Sequence, residues 1–188
     1  AISTRKQMGP NLLEGFTTRQ DRLRQVLSSL RPEDWEKPCF HRRGKMPVRQ
    51  FVALRVQELA VHGWDIRAGL DSSAVISEGA LPQMVTMVPR WLRTAFRPGL
   101  DLPAPTRFRF EVTGAERVSE DVVVKGQEFE VEATGTSQAD ATFRCDTSNY
   151  ILLIFGRLGV EQSISSGRLT VEGSKERAAD FSAWFKGF

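Results

Sequence analysis

Apolar residues recur at helical spacing over the first half of this chain and at every second position over much of the rest. Leu12, Phe16, Leu23, Val26, Leu27 and Leu30 fall mostly three, four or seven apart with charges between them, which predicts a helix over 10–31. Pro10 suits its start and Pro32 lies just past its end. Residues 31–47 hold Pro32, Pro38, Gly44 and Pro47 and read as a connection, with Trp35 and Phe40 pinning it to the core; residues 1–9 read as loose. A second helix is expected from Val48 to Ala68, stopped by Gly69. At 100° per residue, Val52, Val56, Leu59, Gly63 and Ile66 form one apolar arc. Phe51, Arg55, Glu58, His62 and Asp65 form the arc beside it, which points that polar row toward an interior or cleft rather than to solvent. A third helical stretch covers 81–97, with a kink or break at Pro89.

After the Pro-rich segment 97–105 the period becomes two. Phe108, Phe110 and Val112 alternate with Arg107, Arg109 and Glu111; Phe129, Val131 and Ala133 with Glu128, Glu130 and Glu132; Ala141, Phe143 and Cys145 with Asp140, Thr142 and Arg144. With Val122 to Val124, these read as strands of an antiparallel sheet with one wet face, turned at Gly114, Gly126 and Gly135. A short helix over 148–158 capped by Asp146 or Thr147, a strand at 168–172 and a closing helix capped by Ser174 complete the pattern. The fold class is α+β: a partial helical bundle over 1–75, then a sheet with flanking helices over 76–188.

Composition narrows the function little. The chain has 188 residues, 40% hydrophobic and 26% charged, enough to bury a core in one domain or two small ones. A net charge of +3 with both signs interspersed argues against a nucleic-acid partner. The densest basic cluster, His41-Arg42-Arg43-Gly44-Lys45, reads as a solvated loop before it reads as a phosphate site. Two cysteines, Cys39 and Cys145, make no CxxC pair and suggest a reducing cytoplasm. No apolar run approaches the length of a membrane span, so no membrane partner is expected.

The candidate chemistry lies on the second helix. Glu58 and His62, four apart, sit one above the other, and one of only two histidines in the chain is here. The bland reading is an i,i+4 ion pair worth about 0.2–0.5 kcal/mol. The sharper one is a metal site, for which Asp65 would be a third ligand or would orient the imidazole. His41, in a loop, is a poor candidate ligand. Two amphipathic helices cannot cover both of their own stripes, so cover is expected from helix 81–97, the sheet half, a second subunit, or further N-terminal helices.

The run from Arg55 through Glu58, His62 and Asp65 to Gly69 resembles the last bundle helix of the mycothiol-dependent maleylpyruvate isomerase family. That family has a DinB-like four-helix bundle followed by a domain similar to sterol carrier protein 2. Phe16 to Trp35 is similar to the third bundle helix and its loop, and Ala139 to Phe143 with Asn149 to Arg157 is similar to the carrier-like domain. The resemblance implies a divalent metal, usually zinc, held by Glu58 and His62, with a further histidine on a bundle helix that has no counterpart here. This chain is therefore expected to be the C-terminal portion of a longer protein, or to carry an incomplete site. The resemblance also implies mycothiol as thiol cosubstrate, so the leading function is a metal- and mycothiol-dependent isomerase or thiol transferase for a small acidic substrate. Arg157 and Arg168 are the candidate catalytic cations for that substrate, with Arg55 behind them as a candidate for cofactor binding. The alternative is a non-enzymatic carrier of an apolar small molecule, with Tyr150, Leu153, Phe155, Trp184 and Phe185 around the ligand; plain core is the blander reading of those five.

Overall fold

A computed structural model of the chain describes residues 3, 6–7, 9–42 and 44–187. Arg43 of the basic cluster and residues 1, 2, 4, 5 and 8 of the N-terminal stretch lie outside the described residues. The chain divides into two compact units, 1–54 and 55–188. The boundary expected at 75/76 falls inside the second unit.

In the first unit, helix α1 runs over Leu12–Ser28 and leaves Leu12, Phe16, Leu23 and Val26 exposed. A 3₁₀ turn follows over Pro32–Glu36. Its Asp34 accepts from the Arg31 backbone N–H at 2.9 Å and pairs with Lys37 at 2.6 Å; the Lys37 bond, then the Arg31 bonds, hold its carboxyl down to about 2. The stretch read as an irregular connection then forms a hairpin, β1 over Pro38–His41 and β2 over Gly44–Pro47, closed by His41 opposite Gly44. Cys39, His41 and Met46 are half-buried on one face, and His41 meets the Phe51 ring edge-on at 6.1 Å. The two-residue alternation puts Phe40 on the other face, where it is 82% exposed. Phe40 therefore does not pin this segment, while Trp35 is half-buried as expected.

Helix α2 spans Val48–Ala68, as its periodicity and the stop at Gly69 predict, and continues into the second unit. Its buried side there is Gln57, Ala60, Val61 and Trp64, and Leu59 and Ile66 are exposed at 62% and 72%. The helix is thus rotated from the expected arc. The reason is Trp64, the largest apolar side chain on it, whose indole N–H donates to the Ala74 carbonyl at 2.9 Å. Helix α3, Leu81–Ala95, runs through Pro89 without a break.

The sheet contains β3 (Thr106–Thr113), β4 (Val118–Val124), β5 (Phe129–Ala133), β6 (Ala141–Asp146) and β7 (Thr170–Gly173), in the order β5-β4-β3-β6-β7. Its pairings are antiparallel except the central one, β3 with β6, which is parallel and sets Phe110 beside Phe143. A parallel neighbour requires a crossover, supplied here by β4 and β5. Helix α4, Thr147–Ile154, is capped by Asp146, which accepts from the Asn149 N–H at 2.8 Å. Helix α5, Val160–Ser165, has no counterpart among the elements that the hydrophobic pattern predicts. Helix α6, Lys175–Trp184, is capped by Ser174 as the sequence predicts. Phe181 of α6 packs its ring 5.2–5.6 Å from Phe108, Phe110 and Phe143, and Tyr150 of α4 lies 5.3 Å from Phe110. Each such ring, removed from water, contributes about 1.5–3 kcal/mol. Among the described residues no helix is long and apolar enough to cross a membrane.

A polar contact borders this core. The Tyr150 hydroxyl donates to Glu120 on β4, and burial pushes the Glu120 carboxyl above the ordinary range. A carboxyl raised in the folded state contributes stability below its unfolded pKa and loses it as pH rises through the folded value. Glu120→Gln keeps an acceptor for Tyr150 and removes the charge. Its urea midpoint should match or exceed that of wild type near neutral pH, and the gain should vanish by about pH 4. A lower midpoint near neutrality would show that the ionised carboxylate stabilises the core.

Candidate functional site

Helix α2 places Glu58, His62 and Asp65 on successive turns of one face. The side chains of Glu58 and His62 are 50% and 63% exposed, so the row faces solvent rather than the interior expected for it. The cause is the helix rotation set by Trp64. His62 Nε2 lies 3.5 Å from Glu58 Oε2, and His62 Nδ1 lies 3.0 Å from Asp65 Oδ2. Asp65 is gripped in turn by Arg157, 92 residues away on the turn after α4: Nε donates to Oδ1 at 2.9 Å and Nη2 to Oδ2 at 3.1 Å. This bidentate bond holds the Asp65 carboxyl below its usual range, with a smaller contribution from His62.

The proton placement follows. An ionised carboxylate only accepts hydrogen bonds, so Asp65 requires the proton on His62 Nδ1. In the neutral imidazole Nε2 is then the lone-pair nitrogen, on the side of Glu58. Metal–ligand lengths of about 2.0–2.2 Å around a tetrahedral ion set two donors about 3.3–3.6 Å apart. The Glu58–His62 separation of 3.5 Å matches such an edge, and a carboxylate behind the imidazole is the usual companion of a metal-bound histidine. Among the described residues no group of three or more His, Cys, Asp and Glu side chains could hold a metal ion. The site as arranged thus offers two donors with a supporting carboxylate.

The remaining predicted residues are not part of this cluster. Arg55 is exposed on α2 and bonds to none of the four. Arg168 donates to Asn149 Oδ1 at 3.0 Å, to the Ser72 carbonyl and to the Ala74 carbonyl at 3.5 Å. Trp64 uses the same Ala74 carbonyl, so Arg168 fastens the segment after α2 onto α4 and touches the site only through that segment. Arg168→Ala leaves buried Asn149 and two carbonyls without a charged donor, and should lower unfolding free energy by about 2 kcal/mol. A loss below about 0.5 kcal/mol in urea would contradict this fastening role. Tyr150, Leu153, Phe155, Trp184 and Phe185 are buried core side chains. Among the described residues, three clefts surround the first turn of α4 and these five side chains line none of them; the largest of the three, about 510 Å³, lies among Arg67, Ile76, Leu81 and Ser148.

Spacing along the chain presents Asp65 and Arg157 as separate candidates and misses that they bond to each other. Strand alternation could have signalled the charged network on the open face of the sheet. There Asp121, with a fully buried side chain, accepts from Arg107 Nη1 at 2.9 Å and from Arg109 Nε at 2.8 Å and Nη2 at 2.9 Å.

Comparison with known proteins matches two separate stretches of the chain. Residues 104–186 match the SCP-2 sterol transfer family, and residues 4–66 match the DinB superfamily. Glu58, His62 and Asp65 lie in the second segment, and Arg157 and Arg168 in the first. Among solved structures, the UbiJ-SCP2 ubiquinone synthesis protein is similar at 20% identity and a TM-score of 0.42, over 54% of this chain and 90% of its own. Sterol Carrier Protein 2 Like 2 from Aedes aegypti gives 15% identity and a TM-score of 0.43, over 55% of this chain and 97% of its own. Sterol Carrier Protein 2 from Yarrowia lipolytica gives 16% and 0.34, over 56% and 82%. No curated protein matches the chain.

Proposed function

We propose that this chain, which joins a DinB-like helical region to an SCP2-like domain, holds a divalent metal on Glu58 and His62 and belongs to an enzyme that uses a small-molecule thiol. The observation that carries the reading is the 3.5 Å edge between Glu58 Oε2 and His62 Nε2, with Asp65 and Arg157 aligned behind the imidazole. Glu58 and His62 would supply a carboxylate oxygen and an imidazole nitrogen, a donor set that suits zinc. A bound zinc ion lowers the pKa of a thiol or water at its open positions and so provides a nucleophile near neutral pH. Asp65 keeps the proton on Nδ1 and fixes the ring plane, and Arg157 keeps Asp65 ionised. Arg157 also keeps a guanidinium one carboxylate away from the imidazole, where an acidic substrate would meet it. The thiol implied by the family resemblance is mycothiol, and the reaction class is cis–trans isomerisation or thiol transfer. Titrated with zinc, the protein should bind close to one equivalent at micromolar free metal; under about a tenth of an equivalent bound sinks the reading.

A second reading rests on the match of residues 104–186 to a sterol transfer family: carriage of an apolar small molecule. Saturable binding of a fluorescent fatty acid at micromolar protein supports it, and no binding under those conditions removes it.

A further inference from the structure

Both signs occur throughout this chain, but the basic excess is uneven. Residues 1–54 hold eleven basic and five acidic residues, a net +6, so the rest carries −3 of the overall +3. The excess is concentrated further: between Glu36 and Glu58 lie Lys37, Arg42, Arg43, Lys45, Arg49 and Arg55 and no carboxylate. Lys37 pairs with Asp34 and Arg49 with Glu36. Arg42 and Lys45 are exposed and make no ion pair among the described residues. The β1–β2 register puts Lys45 directly opposite Phe40, so cation and ring share the outward face of the hairpin, and Arg42 follows at its end. The inward face is occupied by Cys39, His41 and Met46. A single exposed apolar side chain is ordinary by itself. A phenyl ring 82% exposed, set on a short hairpin with two exposed cations that make no ion pair among the described residues, is a more specific arrangement.

We propose that this outward hairpin face docks peripherally on an anionic phospholipid bilayer. Phe40 enters the headgroup boundary, and Arg42 and Lys45 meet lipid phosphates. The chemistry favours a bilayer over nucleic acid. A strand of about four residues spans about 13 Å, too short to track a phosphate backbone, and offers one ring where single-stranded binding uses a series of stacking platforms. A bilayer accepts a point contact of one aromatic and a few cations, each cation strengthening binding about fivefold at an anionic surface. Binding of this kind is weak and reversible. The absence of an apolar spanning run, from which no membrane partner was expected, does not bear on a contact that inserts no helix. The proposal is independent of the metal site, which lies in the second unit.

The test is cosedimentation of the full chain with vesicles of phosphatidylcholine alone and with about a third phosphatidylglycerol, at low salt. The expected result is partitioning into the anionic vesicles at least about tenfold above the neutral ones, reversed by salt. Phe40→Ser should weaken it about fivefold or more, and Arg42→Gln with Lys45→Gln about thirtyfold. Phe40→Trp should shift its emission to the blue on adding anionic vesicles. These positions are exposed, so circular dichroism should be unchanged. Equal partitioning into both vesicles, no partitioning, indifference to Phe40→Ser, or tighter binding to a short DNA duplex than to vesicles overturns the proposal.

Discussion

Asp121→Ala should lower the unfolding free energy by about 3–5 kcal/mol, the largest stability loss expected from any polar substitution in this protein. The carboxylate has no exposed surface and bridges two guanidiniums, with Thr134 as a fourth donor at 3.3 Å. Burial alone would raise its pKa; the bonds from Arg109 and Arg107 outweigh that and hold it below the ordinary carboxylate range. Alanine leaves the two cations side by side without their shared anion. Arg107 retains Glu132 at 2.9 Å, and Arg109 retains the Gly135 and Ser137 carbonyls, so the lower end of the range is the better estimate. The pH dependence has a definite sign. A carboxyl lowered on folding contributes stability above its unfolded pKa of about 4 and loses it as pH falls through the folded value. Urea titrations of wild type and variant should therefore differ most near neutrality and converge in acid. A difference under about 1 kcal/mol near neutral pH would mean that water replaces the lost anion.

Glu58→Ala and His62→Ala should each weaken zinc binding by about a hundredfold or more while shifting stability by less than about 0.5 kcal/mol. Both side chains are at least half exposed, and as a bare i,i+4 pair they add little to the fold. That contrast separates the two readings of the same spacing: an ion pair gives a small stability change and no change in metal affinity. Asp65→Asn should weaken zinc binding about tenfold to hundredfold, because asparagine satisfies neither the Nδ1 proton nor Arg157 as a carboxylate does. Competition against a chromophoric chelator measures all three.

Much of the architecture is legible in residue order. The three long helices follow from helical spacing and three of the five sheet strands from alternation, the other two being short runs read without it; the Ser174 cap follows from residue type, as does Asp146 as one of two candidates. The orientation of α2 is not legible, because it depends on Trp64 meeting a carbonyl ten residues ahead. Counting apolar positions gives Leu59 and Ile66 the same weight as Val61 and Trp64. The hairpin at 38–47 is hidden because its prolines argue for a loop and only four residues alternate in each strand. The parallel pairing of β3 with β6 is a property of topology that no local pattern carries.

The candidate site divides along the same line. Glu58, His62 and Asp65 are local, and i,i+3 and i,i+4 geometry alone places them on one side of a helix. The Asp65–Arg157 bond joins positions 92 apart, and the sequence offers Arg157 only as one cation among several. Arg168 is its equivalent at that level. In the fold Arg168 engages the Ser72 and Ala74 carbonyls and Asn149, a fastening role that no local pattern around it signals.

X-ray absorption at the zinc edge tests the metal assignment most directly. Zinc-loaded protein should show a nitrogen and oxygen shell at about 2.0–2.2 Å, with outer-shell scattering from an imidazole that disappears in His62→Ala. A sulfur shell at about 2.3 Å, pointing to Cys39 or Cys145, would contradict the assignment. An imidazole signal that survives His62→Ala, pointing to His41, would contradict it equally.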